Sequence, residues 1–326
     1  MIGHRGQGYK DLVAKIQPQL QTLLGTKQLV YLSTSSAWGV MEGALRNLTQ
    51  KKVLNCMKGA FSDKWLDVAK RCGKDAEALQ VPWGSPIRAA AIDAKLATGQ
   101  FDSLTLIHNE TSTGTMSPVA EIAALKAKYP DVMFIVDAVS SMTAVPLNFD
   151  ALGIDVLLAG TQKAFALPPG LTVFTCSPAA LAKAATAKDR GYYFDFVEFD
   201  KNAKENMTPS TPSISHTYAL ASKLDEFFAE GLDARYARHT QTNRMVRDWA
   251  AKHGFTLFPE AGFESITLTC VNNGAKPGGR VVDAAKLQKL VKEQGFLIDG
   301  GYGKIKGRSE EHTSELQSHS DLVCRL

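Results

Sequence analysis

Lys163 and Asp137 are the two residues of this 326-residue chain whose settings point most directly to chemistry. Lys163 stands in Ile154-Asp-Val-Leu-Leu-Ala-Gly-Thr-Gln-Lys163-Ala-Phe-Ala-Leu-Pro-Pro-Gly170, an apolar strand-like run closed by a Pro-Pro-Gly turn. A lysine held at the end of a buried strand can lose its proton and act as an amine nucleophile. Asp137 ends a second apolar run, Val132-Met-Phe-Ile-Val-Asp137, and is followed by Ala-Val-Ser-Ser. Alone, such a lysine is ordinarily a solvated strand end, and such an aspartate a turn residue or helix N-cap. Together they are the pair that pyridoxal phosphate needs. The amine forms a Schiff base with the aldehyde, and the carboxylate pairs with the protonated ring nitrogen and keeps the ring an electron sink.

For these groups to meet, the intervening elements must bring two strand ends side by side. Apolar residues at helical spacing predict a helix over 11–24, with Gly25 as its stop, and further helices over 41–48, 63–72, 86–98 and 119–129. Short apolar runs predict strands over 28–32, 53–57, 78–81, 103–108, 132–136, 156–159 and 173–176. Strands alternating with helices imply an α/β fold, a three-layer and mainly parallel sheet covered on both faces. Such sheets bind ligands at the carboxyl ends of their strands, where His108, Asp137 and Lys163 all fall. A long helix over 218–252, broken near Gly231, leads to a strand over 265–271, a helix over 281–294 and a strand over 296–299. The expected division is a large domain over 1–230 and a smaller α+β domain over 231–307.

Three segments resemble the class V aminotransferases: Asp137-Ala-Val-Ser-Ser, Gly160-Thr-Gln-Lys163 with Leu167-Pro-Pro-Gly170, and His108-Asn-Glu-Thr-Ser-Thr-Gly114. The likeness is strongest to the alanine–glyoxylate and serine–glyoxylate aminotransferase branch, in family order from about residue 1 to about 307. The resemblance implies a fold-type-I enzyme using pyridoxal 5′-phosphate, with Lys163 as the anchoring amine and mover of the α-proton, and Asp137 behind the ring nitrogen. It implies a phosphate cup at Ser36, Ala37 and Trp38, where many relatives carry Ser-Gly-Thr-like residues. It implies Phe61 stacked on the ring, and Ser112 and Gln162 in contact with the cofactor. Related cysteine desulfurases typically carry histidine at the Gln162 position, so glutamine favours transamination. Thr211, in Thr208-Pro-Ser-Thr211-Pro-Ser, matches a loop that reaches a neighbouring subunit's phosphate, which implies a homodimer with a shared active site. The same segment reads equally as a Pro-rich connection between domains. The implied substrates are a small amino acid, alanine or serine, and a small 2-oxo acid such as glyoxylate. Rival readings are a phosphoserine transaminase, a lyase or desulfurase-like enzyme, a catalytically silent subunit on the same fold, and an aldolase using Lys163 without a cofactor.

Composition agrees with a globular enzyme: 44% hydrophobic and 21% charged residues. A net charge of +4, scattered along the chain, gives no argument for a nucleic-acid partner. No run of about 18 apolar residues predicts a membrane span, and the first ten residues lack the apolar stretch of a signal peptide. Five cysteines without a Cys-x-x-Cys pair read as reduced thiols and a cytoplasmic location, with no metal site. His216, His239 and His253, on helical stretches, read as surface or core histidines.

Both ends of the chain are unusual. Residues 308–326 resemble a translated sequencing adapter, a non-native tail, so His312, His319 and Cys324 are not read as metal ligands. Gly300-Gly-Tyr-Gly-Lys-Ile-Lys-Gly307 matches the approach to a family motif whose arginine grips the substrate carboxylate, and that arginine is expected beyond Gly307. The first residues resemble an internal family segment, which leaves open a true start or a fragment.

Overall fold

Residues three and four apart bury one face of the first helix, α1 (Gln7–Leu24), with Tyr9, Val13, Ile16, Leu20 and Leu24 inside. It ends at Gly25, whose φ of 60° takes the left-handed conformation that a β-carbon disfavours. The computed structural model describes residues 2–306 and the backbone of 309–312, so the rest of the adapter-like stretch lies outside the described residues. After α1 come β1 (Val30–Ser33), α2 (Ala37–Leu48), β2 (Lys52–Met57), α3 (Ala60–Arg71), β3 (Asp75–Gln80), α4 (Ala89–Leu96) and β4 (Ser103–Ile107). The short hairpin β5 (Asn109–Glu110) and β6 (Thr115–Met116) follows, then α5 (Val119–Ala123) and β7 (Met133–Asp137). Next come α6 (Phe149–Leu152), β8 (Val156–Gly160), β9 (Thr172–Cys176), α7 (Pro178–Thr186) and α8 (Phe196–Ala203). The helices α9 (Ile214–Glu230) and α10 (Leu232–Lys252) break at Gly231, followed by β10 (Thr269–Asn272), α11 (Ala284–Glu293) and β11 (Ser309–His312).

Seven strands form one sheet in the order β1-β9-β8-β7-β4-β2-β3. All neighbours from β8 to β3 pair in parallel, and β9 runs antiparallel to both β8 and β1. Because side chains alternate along a strand, each strand feeds two cores. Phe134 and Val136 of β7 pack with α1, α4, α5 and α9, while Met133 and Ile135 pack with α2, α3, α7 and α8. This is the predicted α/β three-layer arrangement. The predicted strand over 296–299 is reduced to a single bridging residue, Asp299, and β10 pairs with β11, in the register Thr269 to His312. The predicted helix over 119–129 keeps α-helical form only to Ala123, then tightens into a 3₁₀ turn over Ala124–Ala127.

Two charges buried where β2 and β4 end fix the loops there. Lys58, fully buried, donates to the carbonyls of His108 and Thr115, each at 3.0 Å, and to Ser117 Oγ at 2.8 Å. Burial pushes its ammonium down to about 7, against the nearby charge of Glu110. Glu110, also fully buried, caps α3 from outside the helix. It accepts from the N–H groups of Phe61 (3.3 Å) and Ser62 (3.0 Å), from Ser62 Oγ (2.9 Å) and from Ser112 Oγ (2.7 Å). A β-carbon on Gly59 would strike Glu110 Cγ, so the residue before the helix must be glycine for this approach. Glu110→Ala strands those donors in the interior. It is expected to cost about 2–4 kcal/mol of unfolding free energy, measured by urea denaturation of the cofactor-free protein. A loss under about 1 kcal/mol would contradict the capping role.

Candidate active site

The carboxyl ends of β1, β4, β7 and β8 open on one side of the sheet into a cleft of about 510 Å³ that is continuous with solvent. Ser36, Ala37, Trp38, Phe61, Asp137, Gln162 and Lys163 all line it, together with Met41, Ile107, Asn109, Thr111, Val139 and Ser140. Seven of the nine expected site residues are therefore brought together from four separate stretches of chain.

Asp137 is the last residue of β7 and is 6% exposed. Parallel pairing sets it beside Ile107 of β4 and Leu158 of β8, so both its neighbours at the strand end are apolar. Its Oδ1 accepts the N–H of Val139 at 2.7 Å. Burial pushes its carboxyl up to about 7. The Val139 N–H opposes this, the charge of Glu110 adds to it, and Lys58 and Lys163 pull it back. Lys163 lies three residues past β8 and is half-buried. Its loop closes on itself: Ala166 N–H donates to the Lys163 carbonyl at 2.8 Å, and Leu167 N–H to the Thr161 carbonyl at 3.1 Å. His108 sits beneath the cleft rather than in its lining, its Nδ1 2.9 Å from Ser141 Oγ. Burial, and secondly the charge of Lys58, hold its imidazole down to about 3, so it is neutral.

At the other end of the cleft, Ser36 is the N-cap residue of α2 but its side chain makes no capping bond, leaving the hydroxyl on the cleft side. Ala37 and Trp38 form the first turn, whose backbone donors and dipole favour an anion. Lys64 Nζ lies 4.9 Å from the centre of the Trp38 ring and adds positive charge there. Phe61, on the first turn of α3, stacks against Tyr302 at 5.1 Å and 8° between the rings. Gly160 is extended, and the Gln162 side chain folds back to where a β-carbon of residue 160 would be.

Two expected residues stand elsewhere. Ser112 is buried behind the lining, where its Oγ accepts from Ala60 N–H at 2.9 Å and donates to Glu110. Thr211 is exposed and outside the cleft. Asn109 and Thr111 take the lining positions instead. β5 ends at Glu110 and Thr111 begins the turn to β6, so the turn, and not strand alternation, sets which of Thr111 and Ser112 lines the cleft. Asn109 Nδ2 donates to the Ser140 carbonyl at 2.8 Å and to Thr267 Oγ1 at 2.7 Å, tying the loop after Asp137 to the segment before β10.

This donor set fits pyridoxal phosphate. A buried carboxyl raised toward neutrality suits a cationic partner such as a protonated pyridine nitrogen. The α2 terminus suits a phosphate, and a half-buried amine opens into the same space. Among the described residues no cluster of three His, Cys, Asp or Glu could hold a metal.

Similarity to known proteins agrees with the geometry. The class-V aminotransferase profile matches residues 2–300. An uncharacterized aminotransferase of Methanocaldococcus jannaschii is 31% identical over 315 residues, covering 94% of this chain and 80% of the relative. A serine–glyoxylate aminotransferase of Methylorubrum extorquens is 31% identical over 320 residues, covering 94% and 78%. The crystal structure of an alanine–glyoxylate aminotransferase from Nostoc sp. superposes with a TM-score of 0.88 at 27% identity, covering 96% of this chain and 83% of that one. A cleft built for this cofactor, on this sheet order and with this match along nearly the whole chain, places the protein in the class-V aminotransferase family of pyridoxal-phosphate-dependent enzymes.

Proposed function

We propose that this chain moves the amino group of a small amino acid, serine or alanine, to a small 2-oxo acid such as glyoxylate. The observation that carries the reading is one cleft holding the half-buried Lys163, the buried Asp137 and the N-terminus of α2. The names of the Methylorubrum and Nostoc relatives support glyoxylate as acceptor. Bound pyridoxal phosphate supplies an electron sink for the charge left on the substrate α-carbon. Lys163 Nζ would anchor it until the substrate amine takes its place, and the released amine would then take up the α-proton and later return one, as general base and acid. Asp137 holds the ring nitrogen protonated by charge. Ser36, Ala37 and Trp38 bind the phosphate, Phe61 bounds the ring, and Gln162 and Thr111 orient its polar edge. The same proposal divides the chain into a cofactor-binding domain over 1–230 and a smaller domain over 231–307. It also makes the protein a cytoplasmic homodimer, with the exposed Thr211 loop reaching the neighbouring subunit. No helix among the described residues is long and apolar enough to cross a membrane.

Lys163→Ala is expected to abolish turnover and to leave no cofactor fixed to the chain after borohydride, read by peptide mass spectrometry. Normal turnover, or fixation at another lysine, refutes the assignment. Donor preference is read from half-reactions with serine, alanine and aspartate, followed by glyoxylate; no exchange with serine or alanine refutes the substrate class.

Asp137→Asn has two expected consequences. Turnover falls roughly 10²-fold, the scale of a lost electrostatic donor, and a change within a factor of about two refutes the role. Stability changes in a pH-dependent way. The folded carboxyl titrates at about 7 against an ordinary 3.8, so across that window the fold keeps a proton that the unfolded chain has lost. Stability of the cofactor-free protein therefore falls as pH rises from 3.8 to about 7 and levels above it. The asparagine variant lacks this loss, so its melting temperature should exceed that of the unsubstituted protein at pH 8 and match it near pH 3.5. Parallel melting curves across that range contradict the raised value.

A further inference from the structure

Arg235, one turn into α10, is 1% exposed and is the bulkiest charged side chain buried among the described residues. Its guanidinium carbon lies 3.8 Å from the centre of the Phe227 ring on α9. Burial, and then the like charge of Arg238, push it down to about 10, against the attraction of Glu230. A guanidinium is retained in such a place only where its donors find acceptors. Here Nε donates to the Thr143 carbonyl at 2.8 Å and Nη2 to the Ala164 carbonyl at 2.7 Å. Nη2 also reaches Thr143 Oγ1, and Nη1 reaches Glu230, both at 3.5 Å.

Those two carbonyls belong to the loops that carry the chemistry. Ala164 follows Lys163 directly, and Thr143 closes the turn that follows Asp137. Both loops contain a non-glycine residue in the left-handed region, Thr143 at φ 73° and Ala166 at φ 56°. A β-branched residue rarely adopts that conformation, and it persists where surrounding bonds over-determine it. No residue of α10 lines the cleft.

We infer that Arg235 is a positioning residue, a planar fork that ties the loop after Asp137 to the loop after Lys163 and so sets the carboxylate and the amine relative to each other. The inference rests on the proposed roles of those two residues. A lysine at 235 is a point charge on a flexible stem and cannot hold both carbonyls in one plane.

Three variants test it: Arg235→Met, which keeps the packing on Phe227, Arg235→Gln, which keeps one planar donor group, and Arg235→Lys. Cofactor-free protein is trace-labelled with acetic anhydride, and the rate at Lys163 is compared with that at exposed Lys70 by peptide mass spectrometry. The dissociation constant of pyridoxal phosphate is measured by absorbance. In Arg235→Met and Arg235→Lys the labelling rate at Lys163 should change about threefold or more relative to Lys70. The dissociation constant should rise about tenfold, with Arg235→Gln between these and the unsubstituted protein. The inference is overturned if a variant with native circular dichroism keeps both quantities within about twofold, whatever its melting temperature. It is equally overturned if no variant folds, because the guanidinium then supports the whole domain and not two loops. Borohydride fixation of the cofactor at a lysine other than Lys163 in the unsubstituted protein overturns the Lys163 assignment and this inference together; unchanged variants with fixation at Lys163 overturn the inference alone.

Discussion

Charge held out of water at the ends of adjacent parallel strands is the constraint on which the rest of this structure depends. Lys58, Glu110 and Asp137 follow or end β2, β4 and β7, and all three are buried. None could be kept there without partners. Lys58 satisfies three acceptors on the β5–β6 hairpin and its flanks, and Glu110 satisfies donors of α3. Asp137 is the least satisfied: among the described residues its hydrogen-bond donor is the Val139 N–H, and the charge of Glu110 opposes its ionisation. Lys58 and Glu110 are thus held in closed networks, while Asp137 has a single backbone donor and lines the cleft.

The sheet order turns that constraint into a site. β8 and β7 are neighbours and parallel, so the loops that leave them emerge on the same side. β9 returns antiparallel and pairs with β1, which brings the start of α2 across from a distant part of the chain. The anion-favouring helix end, the carboxyl and the amine then face one space. The capping of α3 by Glu110 also seats Phe61, since the same carboxylate holds the Phe61 N–H. A residue with no place in the cleft thereby sets the position of one that lines it.

The second half of the chain contributes through contacts rather than catalytic groups. Thr267 bonds the loop after Asp137 through Asn109 and Ser140, and Tyr302 stacks on Phe61. Arg235 enters from α10 to bond both loops. Motion of these segments would reach the cleft where their bonds run to the backbone carbonyls of Ser140, Thr143 and Ala164, which cannot rotate away as a side chain can.

The amino-acid sequence by itself determined the fold class and singled out two candidate groups, Lys163 and Asp137. Strand-helix alternation and the Gly25 and Gly231 breaks were legible because apolar period and glycine conformation are local properties. Lys163 and Asp137 were legible only as a pair: each alone reads as an ordinary strand end or cap, and together they match what a pyridoxal phosphate site needs. Their companions were read only through family resemblance, and the tertiary structure rearranged that list. Ser112 turned inward to serve the α3 cap while Thr111 and Asn109 took the cleft, because the turn after Glu110 and the bonds of its buried carboxylate decide which side chains are inside. The strand expected over 296–299 is reduced to a single bridging residue, Asp299, because an apolar run marks a strand locally while its ladder depends on a partner elsewhere in the chain. Nothing local marked Arg235, in a helix of low apolar content, as a buried fork. Its role arises from bonds to Thr143 and Ala164, 92 and 71 residues away, and separations of that size are closed only by folding.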